Sequence, residues 1–198
     1  MRSRRTLVWT FFLAVLASAA TTRGPAVGQI LDLDGRPLDP FAPAGAANVI
    51  FFVATDCPIS NSYAPEIQRV CREYGPRGVG CSLIYEDVDT SSSATRLDAE
   101  VGKHLQEYRY SFAAAVDRTR AVAKRAKASV TPQAVVIDHA GEIRYRGRID
   151  NFYAALGKPR QQVTERDLRS ALDAVLSGRP VPKVETEAWG ASSSIPPC

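Results

Sequence analysis

Residues 48–60 read NVIFFVATDCPIS. The first seven form a continuous run of apolar, β-branched and aromatic side chains, the pattern of a central strand covered on both faces. The period then changes. Tyr63, Ile67, Val70, Cys71 and Tyr74 recur at i, i+4, i+7, i+8 and i+11, one stripe of a helix that stops at Gly75-Pro76. Cys57 stands at the junction, followed by Pro58, a residue favoured in a first helical turn. The free N–H groups and positive end of a helix favour thiolate over thiol. Position alone therefore marks Cys57 as a nucleophile; the plainer alternative is a small apolar residue at a helix start.

The same two periods organise the rest of the chain. Residues 28–38 read as two short strands around an Asp34-Gly35 turn, and 78–85 as the next strand. Leu97, Val101, Leu105 and Tyr108 mark a second helix, 112–116 a short strand, and 119–128 a short basic helix. Residues 134–138 and 142–148 read as a hairpin. A capping-box-like Thr164-Glu165-Arg166-Asp167 opens a last helix that closes at Gly178. Pro180, Pro182, Pro196 and Pro197 make the tail extended. This alternation predicts an α/β fold: a central mixed, mostly parallel sheet, helices on both faces and an N-terminal β extension.

With 198 residues, 45% of them hydrophobic, the chain is of ordinary globular composition and needs no disulfide framework to fold. Three of the charges behind the formal +4 are Arg2, Arg4 and Arg5, so the remainder carries only 4 − 3 = +1. Nothing in that balance asks for a nucleic-acid partner. Those arginines precede an 11-residue, largely apolar run, 7–17, and a small-residue site, Ala17-Ser18-Ala19. That order is a signal peptide, too short to span a bilayer, with cleavage expected near Ala19 or Ala20. Residues 1–20 are thus read as a leader, 28–178 as the domain and 179–198 as a Pro-rich tail. The mature chain is expected to be exported, in the periplasm of a two-membrane host, free of the membrane once cleaved. Its cysteines would then work where disulfides persist.

In an open α/β sheet, sites form beyond the carboxyl ends of the parallel strands. That end is expected to gather 54–60, 86–90, 130–132 and 149–153. Thr131-Pro132 precedes an apolar strand, where proline forfeits a ladder hydrogen bond. A cis peptide turning the chain sharply beside Cys57 would account for it, against an ordinary trans proline at a strand start.

Strand, cysteine at a helix start, parallel strand, helix, Thr-Pro, hairpin and closing helix together resemble the thioredoxin fold. Residues 28–178 are similar to its exported redoxin branch, the thioredoxin-like and alkyl-hydroperoxide-reductase/thiol-specific-antioxidant proteins. DCPISNSYAPEI, VTPQAVVID and IRYRGRIDN carry the detailed likeness. The resemblance implies thiol–disulfide exchange with a protein partner. Cys57 would be the attacking thiol, and Pro132 the cis proline that lets Thr131 backbone groups align a substrate.

The departures narrow this. Cys57-Pro58-Ile59-Ser60 has serine where thioredoxins have a second cysteine, so Cys57 acts alone or borrows a thiol. Peroxiredoxins place Thr or Ser three residues before the cysteine and Pro seven before; Ala54 and Ile50 stand there, against peroxide as substrate. A copper(I) carrier or other non-catalytic binding module is the third reading. Position 61 is Asn, however, and neither His104 nor His139 falls where that ligand is expected. No metal ligand set and no cofactor are predicted.

Cys71 and Cys81 lie on an adjoining helix and strand. Their expected Cα separation of roughly 7–8 Å is at the limit for a disulfide, leaving a structural bridge and paired core thiols as equal readings. Cys198 would be a resolving thiol for Cys57, an intermolecular link or an idle terminus. Arg148 is expected near the site, against the Cys57 thiolate or paired with Asp150 or Glu66.

Overall fold

The computed structural model describes residues 30–86 and 93–192; the expected leader and Cys198 lie outside them. In chain order the elements begin with β1 (Ile30–Leu31), β2 (Pro37–Leu38) and β3 (Ala47–Val53). Next come α1 (Pro58–Tyr74), β4 (Val79–Tyr85), α2 (Ala94–Glu107), β5 (Ala113–Val116) and α3 (Ala121–Ala126). Then follow β6 (Val130–Thr131), β7 (Gln133–Asp138), β8 (Ile143–Gly147), β9 (Tyr153–Ala155) and β10 (Lys158–Pro159). The last two are α4 (Asp167–Leu176) and β11 (Ala191–Ser192).

A five-stranded sheet in the order β5-β4-β3-β7-β8 forms the centre. β3 pairs in parallel with β4, and β4 with β5, while β7 runs antiparallel between β3 and β8. Only β7 is reversed, so one end of the sheet collects the chain leaving β3, β4, β5 and β8 and entering β7. All seven residues of β3 are buried. Their alternation divides the core: Val49, Phe51 and Val53 pack with α1, α2 and α4, while Ile50 and Phe52 pack with α3 and Phe41. The unbroken apolar run is what a strand needs when helices cover both of its faces. This is a thioredoxin-like α/β fold.

One detail departs from the expectations. The last helix begins at Asp167, and Thr164 does not cap it. Thr164 is instead held by Asn151, whose amide donates to its Oγ1 (2.7 Å) and whose Oδ1 accepts from the Thr164 and Glu165 N–H groups (2.9 and 3.1 Å). A side chain earlier in the sequence takes the Thr164 N–H that a local box would have used.

Cys71 and Cys81 form a disulfide with their Cα atoms 6.1 Å apart, closer than a helix laid flat at standard distance allows. The chain returns from α1 to β4 through one 3-10 turn, Gly75–Arg77, and a left-handed Gly78 (φ +84°). That tight reversal holds the end of the helix against the start of the strand.

Candidate functional site

β3 delivers the chain to the sheet's active end, and Cys57 caps α1 in an extended conformation, its Sγ accepting from the Ser60 N–H at 3.4 Å. The thiol donates to the carbonyl oxygen of Thr131 at 3.3 Å. Thr131-Pro132 is a cis peptide, and both residues are buried. The fold thus brings Cys57, Thr131 and Pro132 to one point, although 74 residues separate the cysteine from the threonine. Cys57 is the free cysteine among the described residues and is only 4% exposed. The Ser60 hydroxyl, one turn further on, is buried without a hydrogen-bond partner.

Behind the cysteine lies a polar chain that sequence reading does not resolve. Asn61 Nδ2 donates to the Thr55 carbonyl (3.1 Å), tying the loop before Cys57 to α1. His104 of α2 meets Asn61 Oδ1 through Nε2 (2.8 Å) and the Tyr85 hydroxyl through Nδ1 (2.9 Å). Because Asn61 Oδ1 only accepts, Nε2 carries the proton and Nδ1 takes the Tyr85 hydrogen. Burial lowers the His104 pKa. The unfolded chain therefore binds a proton more readily, and the stability His104 contributes is present above about pH 6.5 and lost as the pH falls below it.

Replacing His104 with Ala should cost about 2–4 kcal/mol, since two buried polar groups lose a partner. Urea midpoints at pH 7.5 and 5 measure both effects. The wild type should lose more on acidification than His104→Ala; equal losses would show that this imidazole is not the titrating group.

On the other side of Pro132 a small cleft is lined by Tyr63, Pro132, Arg148, Ile149, Asp150, Tyr153 and Trp189. Asp150 is buried there, its Oδ1 accepting from Tyr63 Oη (2.8 Å) and the Phe152 N–H (2.9 Å). Burial raises its pKa, with the two hydrogen bonds opposing. Arg148 pairs with none of the groups expected of it. Its guanidinium binds Asp167 (2.7 Å) and Glu165 (2.8 Å) at the start of α4, while Glu66 is taken by Arg69, Arg166 and Arg169. A fork-shaped guanidinium gains more from two carboxylates in reach than from a single one.

The segment read as a tail also lies here. Residues 184–186 run beside β8: Arg146 N donates to Val184 O and Thr186 N to Arg146 O, both at 3.0 Å. Thr186 Oγ1 shares a hydrogen with Tyr145 Oη (2.6 Å) and accepts from Arg148 N (3.1 Å). Further on, β11 pairs antiparallel with β6, Ala191 opposite Thr131 and Ser192 opposite Val130. Trp189 lines the cleft and Ala191 pairs beside Thr131; the family resemblance marks only the step from Gly190 to Ala191, where a cysteine is expected after the glycine and alanine stands instead.

A family model described as the AhpC/TSA family matches residues 29–146, more than half of the chain. The chain belongs to the AhpC/TSA family. Among solved structures, this AhpC/TSA chain is similar to an uncharacterized conserved protein from Geobacillus kaustophilus, at 29% identity and TM-score 0.70, covering 86% of this chain and 89% of that one. A hypothetical protein from Sinorhizobium meliloti follows at 24% identity and TM-score 0.68, covering 83% and 88%. MTB DsbF, solved in mixed oxidized and reduced forms, shares the fold at 16% identity and TM-score 0.54, covering 74% of this AhpC/TSA chain and 93% of its own. No curated protein sequence matches the chain.

Proposed function

We propose that this redoxin is exported and carries out thiol–disulfide exchange with a partner protein, with Cys57 as its single nucleophilic cysteine. One observation carries the reading: a free cysteine caps α1 with its sulfur against the carbonyl that precedes Pro132. The leader-like residues 1–20 support export. In the reaction the Cys57 thiolate attacks one sulfur of a partner disulfide. A mixed disulfide forms, the partner's S–S bond breaks, and the second sulfur leaves as a thiolate that takes a proton from water. A second thiolate then attacks Cys57 Sγ and forms a new disulfide with it; the mixed disulfide breaks, and the partner leaves as a dithiol once its expelled thiolate has taken a proton. Ser60 cannot supply that thiol, so it comes from Cys198 or from a separate molecule. The first turn of α1 supplies charge stabilisation through the Ser60 N–H already directed at the sulfur.

The test is mass spectrometry of the full chain after exposure to a peptide disulfide. Wild type should accumulate a one-to-one adduct on Cys57, and Cys57→Ser should lose it. An adduct of unchanged yield in Cys57→Ser would end the assignment. Hydrogen peroxide in place of the disulfide examines the peroxidase alternative. Oxidation of Cys57 no faster than that of a free thiolate is the expected result, because Ala54 stands three residues before it.

A further inference from the structure

Cys57 is placed to react and yet buried. We infer that the last described segment, 189–192, is a strap that occupies the backbone edge beside Cys57 and must lift before a partner's extended segment can take its place. This rests on Cys57 being the reactive group.

Four contacts define the strap. β11 takes the antiparallel edge of Val130–Thr131, so main-chain groups next to the Cys57 contact are engaged by the chain itself. Gly190 sits so close to that edge that a Cβ would lie 1.8 Å from the Thr131 carbonyl oxygen, the atom that also accepts from the Cys57 thiol. Trp189 lines the cleft with Pro132, and Ala191 packs against the core cluster that includes Cys57.

The segment is anchored a few residues earlier by the same device. A Cβ on Gly147 would lie 2.2 Å from Thr186 Oγ1 and 2.5 Å from its carbonyl oxygen. Two glycines are thus what let the chain approach the domain at both ends of the span.

The strap is built to open. Its ladder is two residues long, and it lies on the surface of the fold rather than within the sheet order, so it can detach while β3, β7 and α1 stay packed. An extended peptide makes the same main-chain bonds through strand addition. Self-occupation and partner binding therefore compete for one edge, and the closed state reduces the apparent affinity for weak partners.

Two full-chain variants open the strap by different means. Gly190→Val forces it off by steric conflict; Trp189→Ala removes its aromatic anchor. Alkylation of Cys57 by iodoacetamide, followed by site-resolved mass spectrometry, should accelerate at least ~10-fold in both, with the thermal midpoint changed little. In a Trp9→Phe background, Trp189 is the sole tryptophan, and its emission should shift to longer wavelength in Gly190→Val.

Unaccelerated alkylation in both variants overturns the proposal, as does an unshifted Trp189 in Gly190→Val. If Gly190→Val does not fold, Trp189→Ala decides. Faster alkylation without any mixed disulfide would leave the strap standing and remove thiol–disulfide exchange. Exchange with unaccelerated alkylation would do the reverse.

Discussion

Replacing Ser60 with Cys is expected to convert a lasting mixed disulfide into a transient one. In the wild type, once Cys57 has captured a partner sulfur, no second thiol stands on the same helical turn, and release waits for a more distant one, Cys198 or a thiol of a separate molecule. Ser60 occupies the position from which an internal one would act: its N–H already reaches Cys57 Sγ, and its hydroxyl is buried without a partner, so exchange for a thiol sacrifices no hydrogen bond. A thiol held on the same turn competes at an effective concentration far above that of a millimolar external reagent. Adduct decay without added thiol should quicken by at least ~100-fold. The products are an internal disulfide, joining Cys57 to the thiol introduced by Ser60→Cys, and the partner in its dithiol form. Stopped-flow or quenched mass spectrometry follows the decay. An adduct as long-lived in Ser60→Cys as in the wild type would show that geometry, not the absent sulfur, blocks resolution.

The second large effect concerns stability. Removing the Cys71–Cys81 bridge with the pair Cys71→Ala and Cys81→Ala opens a loop closed across a sequence separation of 10. Chain entropy sets the cost at about 3 kcal/mol, which for a protein of this size lowers the melting midpoint by roughly 6–12 °C. The bridge ties the far end of α1 to β4, whereas Cys57 caps the near end. Formation of the mixed disulfide at 25 °C should therefore proceed as in the wild type. Calorimetry of the variant, beside wild type with and without reductant, makes the measurement. Identical midpoints in all three samples would refute a stabilising role for the bridge.

The strap adds a consequence for any assay of the wild-type chain. Reactivity measured with a small reagent reports the opening equilibrium multiplied by the intrinsic reactivity of the thiol, so a slow rate does not mean an inert sulfur. Comparing wild type with Trp189→Ala separates the two factors.

Local pattern was sufficient for the scaffold. The apolar run 48–54, the i, i+4, i+7 stripe from Tyr63 to Tyr74 and the hairpin around Gly141 each state their own secondary structure, because burial on one or two faces imposes a period on neighbouring residues. The junction at Cys57 was legible for the same reason: a strand pattern ends and a helix pattern begins on either side of it. What lies far apart in sequence was not. Asn61, His104 and Tyr85 look unremarkable singly, and only their convergence makes a polar chain behind the site. Arg148 has several carboxylates within a plausible span, and the orientation of α4 selects Asp167 and Glu165.

Gly190 is the clearest case. Neither composition nor periodicity in Ala188-Trp189-Gly190-Ala191 sets this glycine apart from any other loop glycine, since its constraint is an oxygen atom on Thr131, on the opposite side of α4 in the chain. Periodicity encodes which surface a residue buries, and that much is written along the chain. Which two surfaces meet depends on the packing of the whole molecule, and the meeting of the tail with the Thr131-Pro132 edge exists only there.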